Sequence, residues 1–163
     1  MANSTIEQEL ERQGHCFFQT VGDSMEPLLH NRKSTVVIEK SMGMLRKYDV
    51  ALYRRPTGEY VLHRIVKVKK GCYLICGDNR IYKEPVPKGW VLGVMTGFYP
   101  DESGRYISNS APEYCEYMRK WGICYWRRWR KALPGRIRRK LKAKTEKGRA
   151  AGRKADWTHG KQR

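Results

Sequence analysis

Three features of the 163-residue sequence predict a mainly β domain with a short helix before it and a basic amphipathic helical tail after it. Short segments rich in Val, Ile, Tyr and Leu recur between about 16 and 108, punctuated by Gly, Pro, Asn and Asp. From 112 onward the apolar positions change to spacings of three and four, the period of one helical face. The charge divides at the same place. Residues 1–112 carry 16 Lys and Arg against 12 Asp and Glu, a net of +4, whereas residues 113–163 carry 18 against 4, a net of +14. The expected organisation is an N-terminal helix (1–15), a β domain (16–108) and a basic, aromatic helical tail (109–163).

Composition narrows the class further. With 40% hydrophobic and 31% charged residues the chain has material for one modest core, which excludes global disorder. The longest mostly apolar run, Trp90–Tyr99, is ten residues long, against the roughly 17–25 that a membrane-spanning helix needs. The start, MANSTIEQELERQG, has neither the basic nor the apolar stretch of a secretory signal. The expectation is a chain in the cytoplasm or peripheral at the inner face of a membrane. Five cysteines at 16, 72, 76, 115 and 124 form no C-x-x-C pair, so a disulfide framework or structural zinc site is not expected. No metal and no cofactor are expected.

Taken in order, Ser4-Thr5-Ile6-Glu7 reads as a capping box, and Ile6 and Leu10 share a face, predicting a helix over about 4–13. Strands are predicted at Cys16–Val21, Ser34–Glu39, Tyr48–Arg54, Glu59–Lys69, Cys72–Cys76 and Trp90–Tyr99. Arg55-Pro56-Thr57-Gly58 and Lys70-Gly71 supply hairpin turns. Ser110 with Glu113 is a second capping-box candidate, and Pro112 fits the first helical turn. Tyr114, Met118, Trp121, Tyr125, Trp129 and Leu133 then line one helical face until Pro134-Gly135 stops it. A second basic segment, Arg136–Lys144, places Ile137 and Leu141 on one face, and disorder is expected after Thr145.

Three stretches carry residues suited to chemistry. Ser24 stands on a Gly-led turn (Gly22-Asp23-Ser24-Met25-Glu26-Pro27-Leu28), His63 lies within Val61-Leu62-His63-Arg64-Ile65-Val66, and Asp78 follows a strand in Gly77-Asp78-Asn79. A hydroxyl becomes a nucleophile when a neutral imidazole takes its proton, and a carboxylate can fix the imidazole's tautomer. Each stretch alone also has an ordinary structural reading: a turn before Pro27, a satisfied strand histidine, a hairpin turn. Their order and surroundings favour the chemical one.

Those surroundings resemble a family. The segment around Ser24 is similar to the nucleophile box of signal peptidase I and its relatives, among them the LexA-type self-cleaving repressors. Tyr48-Asp49-Val50-Ala51-Leu52-Tyr53 resembles their second box. Val61–Val66 resembles the base box in the histidine form of archaeal and endoplasmic-reticulum signal peptidases. Gly77-Asp78-Asn79, with Glu84-Pro85-Val86-Pro87 and Val91-Leu92-Gly93-Val94, resembles the closing box. The likeness covers about residues 14–98. It implies a coiled antiparallel β fold and a serine endopeptidase in which Ser24 is the nucleophile, His63 the base and Asp78 the acid orienting it. The Ser24 N–H would serve the oxyanion hole, and Met25 and Gly22 would contact substrate. Family substrates are extended precursor or leader peptides with small residues near the cut, bound as an added strand. Departures are Gly22 where many bacterial members carry a hydroxyl donor, Tyr48 where glycine is usual, and no second acid after the closing box unless Glu84 fills in.

For the tail, aromatic and cationic faces on one helix suggest contact with an anionic membrane surface through Trp121, Trp126, Trp129, Arg127, Arg128 and Arg130. The other interpretation is that the aromatic face packs on the β domain. An alternative of another class is an inactive β scaffold whose basic arm binds nucleic acid by stacking and phosphate contacts.

Overall fold

A computed structural model describes residues 5–135 and 137. The elements are α1 (Ile6–Gln13), β1 (His15–Gln19), β2 (Thr35–Lys40), β3 (Val50–Arg54), β4 (Tyr60–Val68), β5 (Cys72–Cys76), β6 (Glu84–Pro87), β7 (Val91–Tyr99), β8 (Ile107–Ser108) and α2 (Pro112–Ala132). The strands form one antiparallel sheet in the order β1-β2-β7-β3-β4-β5-β6, with β8 added to β7. The mainly β class with one helix at each end is thus as predicted.

Strand β3 sits centrally and buries both its faces, which is why Val50-Ala51-Leu52-Tyr53 reads as a continuous apolar run. Successive side chains alternate across the pleat. Val50 and Leu52 join one cluster with Met25, Leu29, Ile38 and Met95. Ala51 and Tyr53 join another with Ile65, Tyr73, Ile75 and Val86.

Two strands escape the sequence reading. Glu84-Pro85-Val86-Pro87 is not among the predicted strands, and proline donates no ladder hydrogen bond, yet β6 is the last strand of the sheet, where proline is tolerated. β8 is only two residues long.

The caps differ in detail. The N-cap of α1 is Thr5, not Ser4. Its Oγ1 accepts from the Gln8 N–H (3.3 Å) while Gln8 Oε1 accepts from the Thr5 N–H (2.9 Å). The one-residue shift releases Glu7, which instead accepts from Arg54 Nη1 (3.0 Å) and Tyr60 Oη (2.7 Å). At α2, Glu113 pairs with Arg105 rather than capping.

The described residues fall into two units, one running up to Tyr125 and the other beginning at Trp126. Residues up to Tyr125 fold with the sheet because Tyr114 and Trp121 of α2 are buried, at 7% and 5% exposure. The helix ends before Pro134, as expected. Apart from Ile137, the predicted segment Arg136–Lys144 and the stretch after Thr145 lie outside the described residues. No helix among the described residues is long and apolar enough to cross a membrane.

Candidate active site

Ser24 lies in the turn that follows β1. Gly22 enters that turn at φ +96°, a left-handed conformation that glycine adopts without a Cβ clash. Its N–H donates to Asn31 Oδ1 at 2.8 Å. Behind the turn, Met25, Leu28 and Leu29 are buried in the first cluster, leaving Ser24 half-buried at the rim. The front is held from the β5–β6 loop. The Asn79 N–H donates to the Ser24 carbonyl (2.8 Å), Asn79 Nδ2 donates to the Asp23 carbonyl (3.2 Å), and Arg80 pairs with Asp23.

Register decides what surrounds His63. Opposite partners Ala51↔His63 and Tyr53↔Val61 put His63 on the same face of the sheet as Tyr53. Glu84 of β6 stands opposite Ile75, which packs in that same cluster. His63 Nε2 is 3.0 Å from Ser24 Oγ. Its Nδ1 is 3.5 Å from Tyr53 Oη, at the long limit of a hydrogen bond. Tyr53 Oη donates to Glu84 Oε2 (3.0 Å), and Arg55 clamps that carboxylate through Nε to Oε1 (3.0 Å) and Nη2 to Oε2 (2.6 Å).

The protonation states follow from these contacts. Hydrogen bonds from Arg55 hold Glu84 below its ordinary carboxylate range, so it is an anion. Burial first, and then the Glu84 charge, raises the Tyr53 phenol, which keeps its proton and donates its hydrogen bond to Glu84. The Tyr53 oxygen is then left to accept from His63 Nδ1–H, which leaves the Nε2 lone pair facing the Ser24 hydroxyl. Burial pushes the imidazole down to about 4; Glu84 and Asp78 oppose the shift, and Arg55 and Arg80 reinforce it. At neutral pH the ring is an uncharged base.

Gly77 is required by proximity. A Cβ there would lie 2.6 Å from the Ser24 carbonyl oxygen and 3.2 Å from His63 Nε2. The cleft in front of the pair is about 510 Å³, and its lining includes Phe18, Val21, Gly22, Met25, Leu52 and Leu62 beside Ser24 and His63. Gly22 and Met25 both line this cleft.

Asp78 is not built into the pair as expected. It is fully buried, and its two oxygens accept from Arg64 Nε (2.7 Å) and Nη2 (2.6 Å), with Tyr117 Oη donating at 2.9 Å. Arg64 follows His63 in β4 and so points to the opposite face. The carboxylate next to the imidazole relay is Glu84, reached through Tyr53. Trp121 also departs from its expected role. Its ring packs edge-on to Tyr48 (6.0 Å) and stacks on Tyr125 (5.1 Å), inside the protein rather than towards a membrane. Of the other tail residues, Trp126 is 51% exposed and Arg127 is exposed, while Arg128, Trp129 and Arg130 are half-buried. The Arg130 guanidinium sits 4.6 Å from the Trp126 ring centroid.

Tyr53, Arg55 and Arg64 received no role from the sequence. Only the β3–β4 register brings the first to His63, and only burial reveals the last. No protein-family model matches the chain, and no curated protein matches it.

Proposed function

We propose that the chain is a serine endopeptidase resembling signal peptidase I, cleaving a leader or signal-like segment from a precursor. The observation that carries this reading is Ser24 Oγ at 3.0 Å from the Nε2 of a neutral, half-buried His63, at the edge of a mostly apolar cleft. In the proposed reaction Ser24 Oγ attacks the scissile carbonyl as its proton passes to His63 Nε2. The tetrahedral intermediate expels the amine, which takes that proton, and leaves an acyl-Ser24 ester. Water, deprotonated by His63, then hydrolyses the ester. The Nδ1–H of the transient imidazolium is held by Tyr53, and the Glu84 anion behind it offsets the charge. The Ser24 N–H is assigned part of the oxyanion stabilisation, and Gly22 brings no side-chain donor to it.

An extended peptide fits the cleft chemically. Among the described residues strand β1 pairs with β2 alone, so its other edge can accept an added strand, and the mostly apolar lining suits small uncharged side chains near the cut. The proposal includes contact of the basic chain end with anionic lipid, now through Trp126 and Arg127 rather than Trp121.

The test is labelling with a fluorophosphonate probe. Covalent modification at Ser24, absent in Ser24→Ala with an unchanged melting temperature, supports the peptidase. An unlabelled chain retained on DNA or RNA in a salt-sensitive way would favour the scaffold instead.

A further inference from the structure

Arg64 and Asp78 are both completely buried and form a two-hydrogen-bond ion pair. Removing two charges from water is unfavourable by several kcal/mol per ion unless their remaining donors and acceptors are satisfied. Here α2 does much of that. Tyr114 Oη accepts from Arg64 Nη1 (2.8 Å), and Tyr117 Oη donates to Asp78 Oδ2 (2.9 Å). The rings of Tyr114, Tyr117 and Trp121 surround the guanidinium at 5.8, 6.0 and 5.4 Å. Arg64 Nη1 also donates to the Tyr48 carbonyl (2.9 Å), and Tyr48 has φ +82°, a strained value for a bulky residue.

Arg64 is joined covalently to the candidate dyad, and Asp78 to residues that touch it. Arg64 is the residue after His63. Asp78 lies between Gly77, where a Cβ would press on both the Ser24 carbonyl and His63 Nε2, and Asn79, whose N–H binds the Ser24 carbonyl. A displacement of the ion pair therefore moves the backbone carrying the base and the backbone gripping the nucleophile turn together. Among the groups facing the pair are the Tyr48 carbonyl and Tyr114, Tyr117 and Trp121 of α2.

We infer that the part of α2 before Tyr125 is a brace for the Ser24–His63 pair, with Tyr114, Tyr117 and Trp121 as positioning residues acting through Arg64 and Asp78. This rests on the peptidase reading above.

The experiment uses the full chain with Tyr117→Phe, which keeps the ring and removes only the hydroxyl on Asp78. Tyr114→Phe removes the hydroxyl on Arg64. Tyr73→Phe, which loses a comparable bond to the Leu45 N–H (3.0 Å), is the reference for loss of a buried tyrosine hydroxyl remote from the dyad. Readouts are the second-order rate of fluorophosphonate labelling, the His63 imidazole ¹⁵N shifts and the melting temperature. Tyr117→Phe should slow labelling about tenfold and Tyr114→Phe about threefold, each moving the His63 signals. Tyr73→Phe should label at the wild-type rate with a similar fall in melting temperature. Wild-type labelling and unmoved His63 signals in both α2 variants would overturn the brace while leaving the peptidase reading standing. A wild-type chain that is never labelled at Ser24 would overturn both.

Discussion

Acidification tests the environment of His63 most directly. An exposed histidine titrates near 6.5, whereas burial against Tyr53 pushes this one down to about 4. At pH 5.5 the ring would be about 97% neutral with the lower value and about 9% neutral with the ordinary one, a tenfold contrast in available base. The kcat/KM of the wild-type chain on a short peptide should therefore stay nearly flat from pH 7 to 5.5 and fall only around pH 4. Stability responds to the same shift. Because the folded value lies below the unfolded one, the unfolded state binds more protons between pH 6.5 and 4, so stability is lost as the pH falls through that window. The loss has an upper bound of about 3 kcal/mol, the shift converted at 1.36 kcal/mol per unit. Urea melts at pH 7 and pH 4.5 should show it in the wild type and not in His63→Gln. An imidazole ¹⁵N titration with a midpoint near 6.5 would refute the burial argument.

Three substitutions probe the remaining contacts. Gly77→Ala places a methyl against the Ser24 carbonyl; labelling of Ser24 should fall about a hundredfold, with about 1–3 kcal/mol of stability lost to overpacking, and unchanged labelling would deny the close approach. Tyr53→Phe removes the acceptor of His63 Nδ1–H, so kcat should fall about tenfold or more with KM little changed, measured by steady-state kinetics. Asp78→Asn leaves the buried Arg64 guanidinium without its counter-charge, and a loss of about 3–5 kcal/mol is expected in denaturant melts. Lost turnover at full stability would return Asp78 to the role of orienting acid.

Local pattern alone determined much of this protein. The Val- and Tyr-rich segments between Gly and Pro turns specify strands, because side-chain alternation and turn chemistry are properties of neighbours in sequence. The spacing from Tyr114 to Leu133 specifies a helix that stops at Pro134, as observed. The order of the Ser24, His63 and Asp78 segments and the family resemblance of their surroundings nominated the serine and the histidine that the fold brings to 3.0 Å. What the tertiary structure decided is which partner each side chain takes. Tyr53 meets His63 because β3 and β4 pair with Ala51 opposite His63, a register that no single segment encodes. Asp78 faces Arg64 rather than serving the imidazole directly, since consecutive residues of β4 point to opposite faces and burial obliges the guanidinium to find a carboxylate. Trp121 is internal for a similar reason. An amphipathic helix declares that one face is apolar, but whether protein or lipid covers that face depends on the surface folded beside it, and here that surface holds Arg64 and Tyr48.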